Sequence, residues 1–372
     1  MTFFTRSDKI IWLDTVRRGI RTGKDGRFST VQKEIIMAIA KNVSKVVAII
    51  LLSVVVAILL FNLFLNIKLF EFYSSSRSVG DVPGLADGGV QQGLDYVGED
   101  DALLASCYMA DKSASTIYVT KGGKTVSTEL AYADDKDYTG HVGGICHYGK
   151  YLYVGCEGGF KVYNLADILA GGRAKMVGEV SLINTASWCT VYDGHIYAGT
   201  FASVIGDQYP PEDEYLIDNP KVANEKNCSI ISVYKFSDAD DAVFGIDTKA
   251  PVNVISTIGR VQGGAFTDDG NLVLSTSWGV TLSGFYFYDM AKAKTNTSTY
   301  THKDGTTYPL TYLGTDSLTY KLEGPPMAEE LVIIDGYLYI MNESASSKYI
   351  FGNLIGGRAL YTIKLQDKYF GK

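Results

Sequence analysis

The chain contains 372 residues, with 34 Lys and Arg against 41 Asp and Glu, which gives a formal net charge of −7. Hydrophobic residues make up 46 % and charged residues 20 %, and five cysteines are present, so the composition excludes a disordered chain and a small disulfide-bonded protein. The acidic balance also argues against a nucleic-acid partner, because neutralising a phosphate backbone requires a basic surface.

The first predicted element is an apolar helix. Val46–Leu65 holds 20 residues without a charge, and Ser53 and Asn62 are its polar interruptions. A helix of this length spans the roughly 30 Å hydrocarbon core of a bilayer and satisfies its own backbone hydrogen bonds there. We therefore predict a transmembrane helix over 46–69, with the lipid bilayer as its partner. A cleaved signal peptide is the competing interpretation, but its apolar region is shorter and ends at a small-residue cleavage site.

Charges on the two sides of this helix predict its orientation. Residues 1–45 carry ten basic and four acidic side chains, whereas the rest of the chain is strongly acidic. The positive-inside rule then places 1–45 in the cytoplasm as a basic segment. The predicted localisation is the cell membrane, as a single-pass protein with an uncleaved signal anchor and an extracellular C-terminal domain.

The segment that follows the helix, residues 70–90, is rich in Ser and Gly and contains the runs SSSRS and ADGG. It lacks the apolar periodicity of a helix or a strand. We predict that it is a flexible linker between the anchor and the following domain.

Beyond the linker, short runs of Tyr, Val, Ile, Phe and Thr alternate with turn residues, and one unit recurs. Its second copy starts HVGGICHYGKYLYVGCEG at His141, and its fourth starts QGGAFTDDGNLVLSTSWG at Gln262. Four antiparallel strands per unit, with a period of about 40 residues, predict an all-β fold, a β-propeller over 91–367. Five blades are predicted: 91–135, 140–184, 185–260, 261–323 and 326–367. A six-bladed ring is the alternative if 185–260 contains two blades, and a β-sandwich is the competing fold.

Tight turns predict the register of the strands. Asp193-Gly194, Asp269-Gly270 and Asp335-Gly336 each separate two apolar runs. Asp-Gly is favoured in two-residue hairpin loops because both positions require a positive φ. Each pair is therefore predicted to join the first two strands of a blade.

The innermost strands of a propeller line its central channel, so equivalent positions form a ring. Aligning the units places four small residues and one carboxylate at the crowded axis: Gly93, Gly143, Ser187, Gly263 and Glu329. One end of the channel is predicted to gather a ligand-binding set: Gln92, His141, Ser187, Gln262 and Glu329. Glu157 and Glu343 are expected near its rim. A concave site with convergent polar groups favours ligand binding, and the alternative is that these side chains bond only to neighbouring strands.

Three channel residues are candidate catalytic groups. His141 has the chemistry of a general base. Glu329 and Glu330 are candidates for glycoside cleavage, which needs two facing carboxylates about 5–9.5 Å apart. Adjacent residues of a strand point to opposite faces, so these two cannot form the pair, and Glu157 or Glu343 would supply its second member. The sequence lacks the G-x-S-x-G, P-loop and H-E-x-x-H signatures.

An acidic loop in the third unit offers oxygen ligands for a metal ion. The weak Ca²⁺ candidates are Asp207, Glu212, Asp213 and Glu214. Their spacing does not match an EF-hand, and the four histidines show no metal-ligand spacing. A solvated acidic loop is therefore the favoured interpretation, and no cofactor is predicted.

Tryptophan and cysteine positions allow both structural and functional interpretations. Trp188 and Trp278 lie near predicted blade ends, where an indole suits stacking on a sugar, with core packing as the alternative. Four of the five cysteines fall within strand patterns. Buried apolar side chains are therefore favoured over a disulfide framework.

Over about residues 90–367 the repeats resemble β-propeller proteins as an architecture, without the WD, kelch or YWTD patterns. An anchor followed by a propeller resembles uncharacterised bacterial surface proteins, and this resemblance implies no particular active site. We expect a binding or scaffold module for a cell-surface glycan or a protein partner. The alternative is an extracytoplasmic glycan-active hydrolase or lyase with its site at the channel, and a structural assembly subunit is a third hypothesis.

Overall fold

The structure, a computed structural model, describes residues 30–206, 208–349, 357 and 359–371. The chain divides into two compact units, Met1–Phe64 and Leu65–Lys372. The described part of the first unit belongs to helix α1, Thr30–Lys68. Within α1, Lys33–Lys68 is long and apolar enough to cross a bilayer. That length and composition suit a membrane anchor and a signal sequence alike.

The segment expected to be a flexible linker, residues 70–90, instead forms regular structure. Helix α2 covers Phe70–Ser75 and strand β1 covers Ser76–Asp81. Phe72 is fully buried, and its ring centroid lies 6.0 Å from that of Phe285. An edge strand is held by main-chain hydrogen bonds, so the Ser- and Gly-rich sequence of β1 carries no apolar alternation that would reveal it.

Five four-stranded blades make up most of the second unit in the described part of the chain. The first blade contains β2–β5: Gly89–Val97, Ala102–Met109, Thr116–Lys121 and Lys124–Ala131. The second contains β6–β9: Ile145–Tyr148, Tyr151–Cys156, Gly159–Asn164 and Gly172–Ser181. The third contains β10, β11, β14 and β15: Trp188–Tyr192, His195–Gly199, Ser229–Lys235 and Asn253–Thr257. The fourth contains β16–β18 and β21: Val261–Phe266, Leu272–Thr276, Ser283–Tyr288 and Leu318–Gly324.

The fifth blade closes the ring with a strand from the other end of the domain. It contains β22–β24: Ala328–Ile334, Tyr337–Asn342 and Ala359–Lys364. β1 pairs antiparallel with β24 and becomes the outer strand of this blade. The inner strands β22, β2, β6, β10 and β16 neighbour one another in that order around the axis. The predicted five-bladed propeller is therefore confirmed, and 185–260 contains a single blade.

Insertions and edge pairings decorate this ring. A short hairpin, β12 (Ile217–Asp218) with β13 (Lys226–Asn227), lies in the long acidic loop of the third blade. A second hairpin, β19 (Thr297–Thr301) with β20 (Thr307–Tyr312), leaves the fourth blade and pairs parallel with β15 of the third. The first two blades are joined through parallel pairing of β5 with β9, so they form one eight-stranded sheet.

Short helices fill the remaining connections. The α-helices are α3 (Leu165–Ala170) and α4 (Met290–Ala293). The 3₁₀ turns are Leu85–Asp87, Gly98–Asp100, Asp213–Tyr215, Glu343–Ala345 and Asp367–Phe370. The turn Glu343–Ala345 directly follows β23 and brings its glutamate to the end of the axis where β2 and β22 begin.

Two of the three predicted Asp-Gly hairpin loops have the expected backbone. φ is +46° and +69° at Asp193-Gly194, and +50° and +75° at Asp335-Gly336. At Asp269-Gly270 only the glycine has a positive φ, +81°. Here β16 ends at Phe266 and β17 begins at Leu272, so the connection is five residues long. The Thr267 hydroxyl donates to Asp269 at 2.6 Å and organises this wider turn.

Small residues at the axis let the inner strands approach closely. A Cβ atom at Gly143 would lie 2.6 Å from the Ser187 carbonyl oxygen, and one at Gly263 would lie 2.3 Å from the Glu330 Cα. Both distances are too short for a side chain, so glycine is required by space at these positions. The close approach of the inner strands therefore explains the small residues that the aligned repeats place at the axis.

Glu330 fills the space that the glycines leave. Its side chain is completely buried on the axis. Oε2 accepts hydrogen bonds from the backbone N–H groups of Leu94 at 2.9 Å and Ile145 at 2.7 Å, and Oε1 accepts from that of Cys189 at 3.0 Å. One carboxyl group from β22 therefore bonds β2, β6 and β10, the inner strands of the first three blades. Burial raises the pKa of Glu330, and the three N–H donors oppose that shift.

The cysteines behave as apolar side chains. Four are buried and Cys156 is half-buried, and in the described residues all five are free thiols. Burial raises the pKa of Cys146 and that of Cys189, which keeps both thiols protonated and unreactive. The preference for buried thiols over a disulfide framework fits this arrangement.

Replacing Glu330 by Ala is expected to destabilise the propeller by at least about 3 kcal/mol, because three buried N–H groups lose their acceptor at about 1–3 kcal/mol each. Denaturant unfolding followed by tryptophan fluorescence measures the loss. Glu330→Gln retains the shape of the side chain and part of its acceptor capacity, so its stability should lie between that of the unchanged protein and that of Glu330→Ala. A Glu330→Ala protein within about 1 kcal/mol of the unchanged chain would contradict the assigned role.

Candidate functional site

One end of the propeller axis opens into a cavity of about 980 Å³. All five residues predicted from the sequence as a ligand-binding set line it: Gln92, His141, Ser187, Gln262 and Glu329. Glu157 and Glu343, expected near the rim, line it as well. They converge because every inner strand begins at this end of the ring. The cavity is of the size that holds small ligands or a few sugar units.

Two adjacent glutamates of β22 serve different environments. Glu329 lines the cavity and, with Glu343, forms what we call its polar floor. Glu330 lies beneath this floor, and both of its side-chain oxygens accept hydrogen bonds from backbone donors. Glu330 is absent from the cavity surface and has no access to a substrate. The sequence proposal of Glu330 as a catalytic candidate therefore fails, because the axis needs its carboxyl group as an acceptor for the neighbouring strands.

Glu329 is a buried carboxyl group with little hydrogen bonding. It is 3 % exposed, and its Oε1 accepts one hydrogen bond, from the Gln262 side-chain amide at 3.3 Å. The same amide nitrogen lies 3.4 Å from the Ser277 hydroxyl. Burial, followed by repulsion from Glu343 and Glu330, raises the pKa of Glu329 well above its usual range.

Glu343, the second carboxyl group of the floor, is better supported. Its Oε1 accepts hydrogen bonds from the Tyr108 hydroxyl at 3.1 Å and the Tyr349 hydroxyl at 3.0 Å. The Lys348 ammonium group donates to the Tyr108 hydroxyl and lies 4.8 Å from the centre of its ring. Burial raises the pKa of Glu343, while the two phenols, Lys348 and Gln92 oppose the shift.

His141 stands at the same end of the axis as Glu329. Its ring is 5.1 Å from the Tyr108 ring at an interplanar angle of 34°. Desolvation of the imidazole, followed by the positive charge of Lys348, lowers the pKa of His141. The lowered pKa favours the neutral imidazole at pH 7. A neutral imidazole is able to accept a proton, which is the property a general base needs.

An aromatic wall lines the same cavity as these polar groups. The Trp278 ring lies 5.7 Å from the Phe201 ring at 28°, and 5.9 Å from the Tyr209 ring at 90°. Tyr209 is 47 % exposed. Trp188, the other tryptophan considered for stacking, is fully buried in the core between the third and fourth blades. Only Trp278 of this pair lies at the cavity surface.

Five residues that shape the cavity carry no signal in the sequence: Tyr108, Phe201, Tyr209, Lys348 and Tyr349. They lie at strand ends or in loops outside the repeated pattern, so no periodic signal marks them. Ser187, which was predicted, accepts a hydrogen bond from the Phe201 backbone N–H at 2.9 Å and so also has a structural role. The loop of Phe201 thereby keeps a fixed position beside the axis.

The acidic loop does not assemble a metal site among the residues that the structure describes, where no group of three His, Cys, Asp or Glu side chains is suitably placed. Asp207 lies outside the described residues. Glu212 forms an ion pair with Lys303 at 3.1 Å, and Glu214 accepts a hydrogen bond from the Tyr300 hydroxyl at 3.1 Å. Asp213 begins a 3₁₀ turn. Glu212 and Glu214 are therefore directed to separate partners.

Comparison with known proteins shows only distant similarity. No family model and no curated protein matches the chain. Solved structures include the β-xylosidase RS223, with a TM-score of 0.42 and 11 % identity over 79 % of this chain and 95 % of that one. A PQQ-bound aldose sugar dehydrogenase from Streptomyces coelicolor has a TM-score of 0.39 and 13 % identity, over 77 % and 95 % of the two chains. At these values the similarity carries no information about activity.

Glu329→Gln is expected to raise the melting temperature at about pH 8 and to leave it unchanged at about pH 4. The folded-state pKa of Glu329 lies above its ordinary value, so its protonated form contributes stability below about pH 4.5 that is lost as the pH rises through the folded-state pKa. The side-chain amide of the Glu329→Gln variant does not ionise, so this variant does not lose stability as the pH rises. Thermal unfolding of both proteins across this range makes the measurement.

The matched control for this prediction is Glu157→Gln, which removes an exposed carboxylate from the same cavity. Its melting temperature should follow that of the unchanged protein at every pH. A Glu329→Gln effect of equal size at both ends of the pH range would contradict a titrating buried carboxyl group.

Proposed function

We propose that the axial cavity binds a carbohydrate chain and that the protein is a surface glycan-binding module. The observation that carries the proposal is the pairing of an aromatic wall with a polar floor in one cavity. A sugar ring has an apolar C–H face and a rim of hydroxyl groups. Trp278 and Tyr209 offer surfaces for the apolar face. Gln92, Gln262 and Glu329 offer amides and a carboxyl group for the hydroxyls.

Anchoring is the second part of the proposal. An α1 helix that remains uncleaved over 46–69 would hold the propeller at the membrane, with the basic residues 1–45 in the cytoplasm. The apolar length of α1 and the charge difference across it support this arrangement. The cavity would then face glycans of the cell surface, or a partner protein that carries them.

Cleavage of a glycan, by a hydrolase or a lyase reaction, is the second candidate function, and one specific observation favours it. Glu329 and Glu343 lie close enough for their charges to repel, both have a raised pKa, and neutral His141 lines the same cavity. Carboxyl groups whose pKa is raised by burial and by a neighbouring carboxyl group are suited to general acid and base roles. The same cavity would then cleave the chain that it binds.

A glycan array and titration calorimetry with the full chain in nanodiscs test the binding proposal. Trp278→Ala and Gln262→Ala are each expected to weaken binding at least tenfold, about 1.4 kcal/mol, because they remove the stacking surface and a hydrogen-bond donor. The matched control is Tyr337→Ala, which removes a half-exposed aromatic ring at a hairpin turn away from the cavity. Binding of no glycan, or Trp278→Ala binding as well as the control, would overturn the proposal.

The same mixtures, analysed by mass spectrometry, separate the two candidate functions. A binding module leaves the glycan intact. A hydrolase yields fragments that gain one water, a lyase yields unsaturated fragments, and Glu343→Gln abolishes either product.

Anchoring predicts that the chain in cells keeps residues 1–45 and stays in the membrane fraction after an alkaline wash. Mass spectrometry of the mature N-terminus and protease treatment of intact cells make the measurements. Val55→Arg, in the middle of the apolar run, should release part of the protein, because a central Arg opposes insertion by about 2.5–3.5 kcal/mol. A mature chain that begins after residue 65 would show a cleaved signal sequence instead.

A further inference from the structure

The charges in the cavity are unbalanced. Four glutamates line it, at positions 157, 212, 329 and 343. Among the described residues that line the cavity, Lys348 is the only Lys or Arg side chain. Glu212 is occupied by an ion pair with Lys303. An excess of carboxyl groups therefore remains around the polar floor.

The two carboxyl groups of the floor differ in how they are supported. Glu343 has two phenol donors, and Lys348 reaches it through one of them, Tyr108. Glu329 has the single long hydrogen bond from Gln262. Among the described residues no Lys, Arg or His forms an ion pair with Glu329, although it is almost completely buried. A buried carboxylate without a cation is unfavourable, so it either retains its proton or takes its cation from a ligand.

The Gln262 side chain links the Glu329 carboxyl group to the residue that precedes Trp278 of the aromatic wall. Gln262 contacts both Glu329 and the Ser277 hydroxyl, and Ser277 directly precedes Trp278. A ligand stacked on the indole would therefore have its polar edge close to the Glu329 oxygens. An ammonium group has three N–H donors and a full positive charge, which matches two neighbouring carboxyl groups.

Resting on the proposed function, we infer that the ligand of this cavity is a glycan with free amino groups, a de-N-acylated amino sugar, whose ammonium group binds against Glu329 while its ring stacks on Trp278. On the Glu343 side, the Lys348 ammonium group already lies over an aromatic ring and donates to the Tyr108 hydroxyl, which in turn donates to Glu343. N-acetylated sugars lack the charge that Glu329 requires, and uronic or phosphorylated glycans are repelled by it.

The raised pKa values of the floor give this binding a pH dependence. Gln262 contacts Glu329, and the charges of Glu343 and Glu330 act on it. The same cavity is also lined by His141, Lys348 and the phenols of Tyr108 and Tyr349. An ammonium group favours the ionised carboxylates, so a bound ammonium group opposes the rise in the pKa values of Glu329 and Glu343, and these two carboxyl groups release protons when it binds. The pKa of His141 is lowered, which favours the neutral imidazole, so His141 does not compete with the ligand for the carboxylates.

Calorimetry with the full chain in nanodiscs tests the inference with three probes of similar length: a glucosamine tetramer, an N-acetylglucosamine tetramer and tetralysine. The glucosamine tetramer is expected to bind at least tenfold more tightly than the N-acetylated one at pH 7. Glu329→Gln should abolish that preference, whereas Glu99→Gln, which removes an exposed carboxylate from the turn Gly98–Asp100 outside the cavity lining, should retain it.

Equal or tighter binding of the N-acetylated tetramer, or no binding of either sugar, would overturn the amino-sugar inference. Tighter binding of tetralysine than of the glucosamine tetramer would also overturn it, in favour of a basic peptide. The glycan array decides the broader proposal separately, because any bound glycan without an amine supports a carbohydrate site while contradicting an ammonium site.

Discussion

The hydrogen bonds of Glu330 are the constraint on which this structure depends. A five-bladed ring brings its inner strands too close together for side chains at Gly143 and Gly263, yet it leaves backbone N–H groups of three strands directed at the axis. A single carboxyl group satisfies them and closes the channel. The pairing of β22 with β23 is irregular between Ala328 and Leu331, and at this bulge Glu330 turns into the axis while Glu329 lines the cavity. The closed axis and the buried acid of the cavity therefore come from one segment of the chain.

The carboxyl groups of the cavity contribute an unfavourable electrostatic free energy that the propeller fold does not require. Glu343 is supported by two phenols, and Glu330 by three N–H groups, whereas Glu329 is buried with one weak donor. Unfavourable ionisation of this kind is typical of functional sites, where local stability is given up for recognition or proton transfer. His141, neutral beside the same floor, extends the chemistry available there. The geometry thus separates one structural glutamate from two functional candidates that differ in their partners.

Much of this site could be predicted because a propeller repeats its own sequence. Equivalent positions of equivalent strands meet at the axis, so aligning the units placed Gln92 and Gln262 in one cavity although 170 residues separate them. The aromatic wall could not be found in this way. Tyr209 and Lys348 lie in single-copy loops, and loops carry no periodicity that relates one blade to another. The edge strand β1 escaped prediction for a related reason, because main-chain pairing leaves little trace in side-chain composition.

By itself the sequence determined the apolar N-terminal helix, the five repeated β units and the small residues of the axis, since length, period and the absence of a side chain are local properties. Only the tertiary structure decided that Trp188 packs in the core while Trp278 lines the cavity, and that Glu330 is a structural acceptor while Glu329 lines the cavity. The physical reason is that burial, charge balance and hydrogen-bond supply depend on which strands and loops come together around the axis, and these contacts join residues that are far apart in the chain.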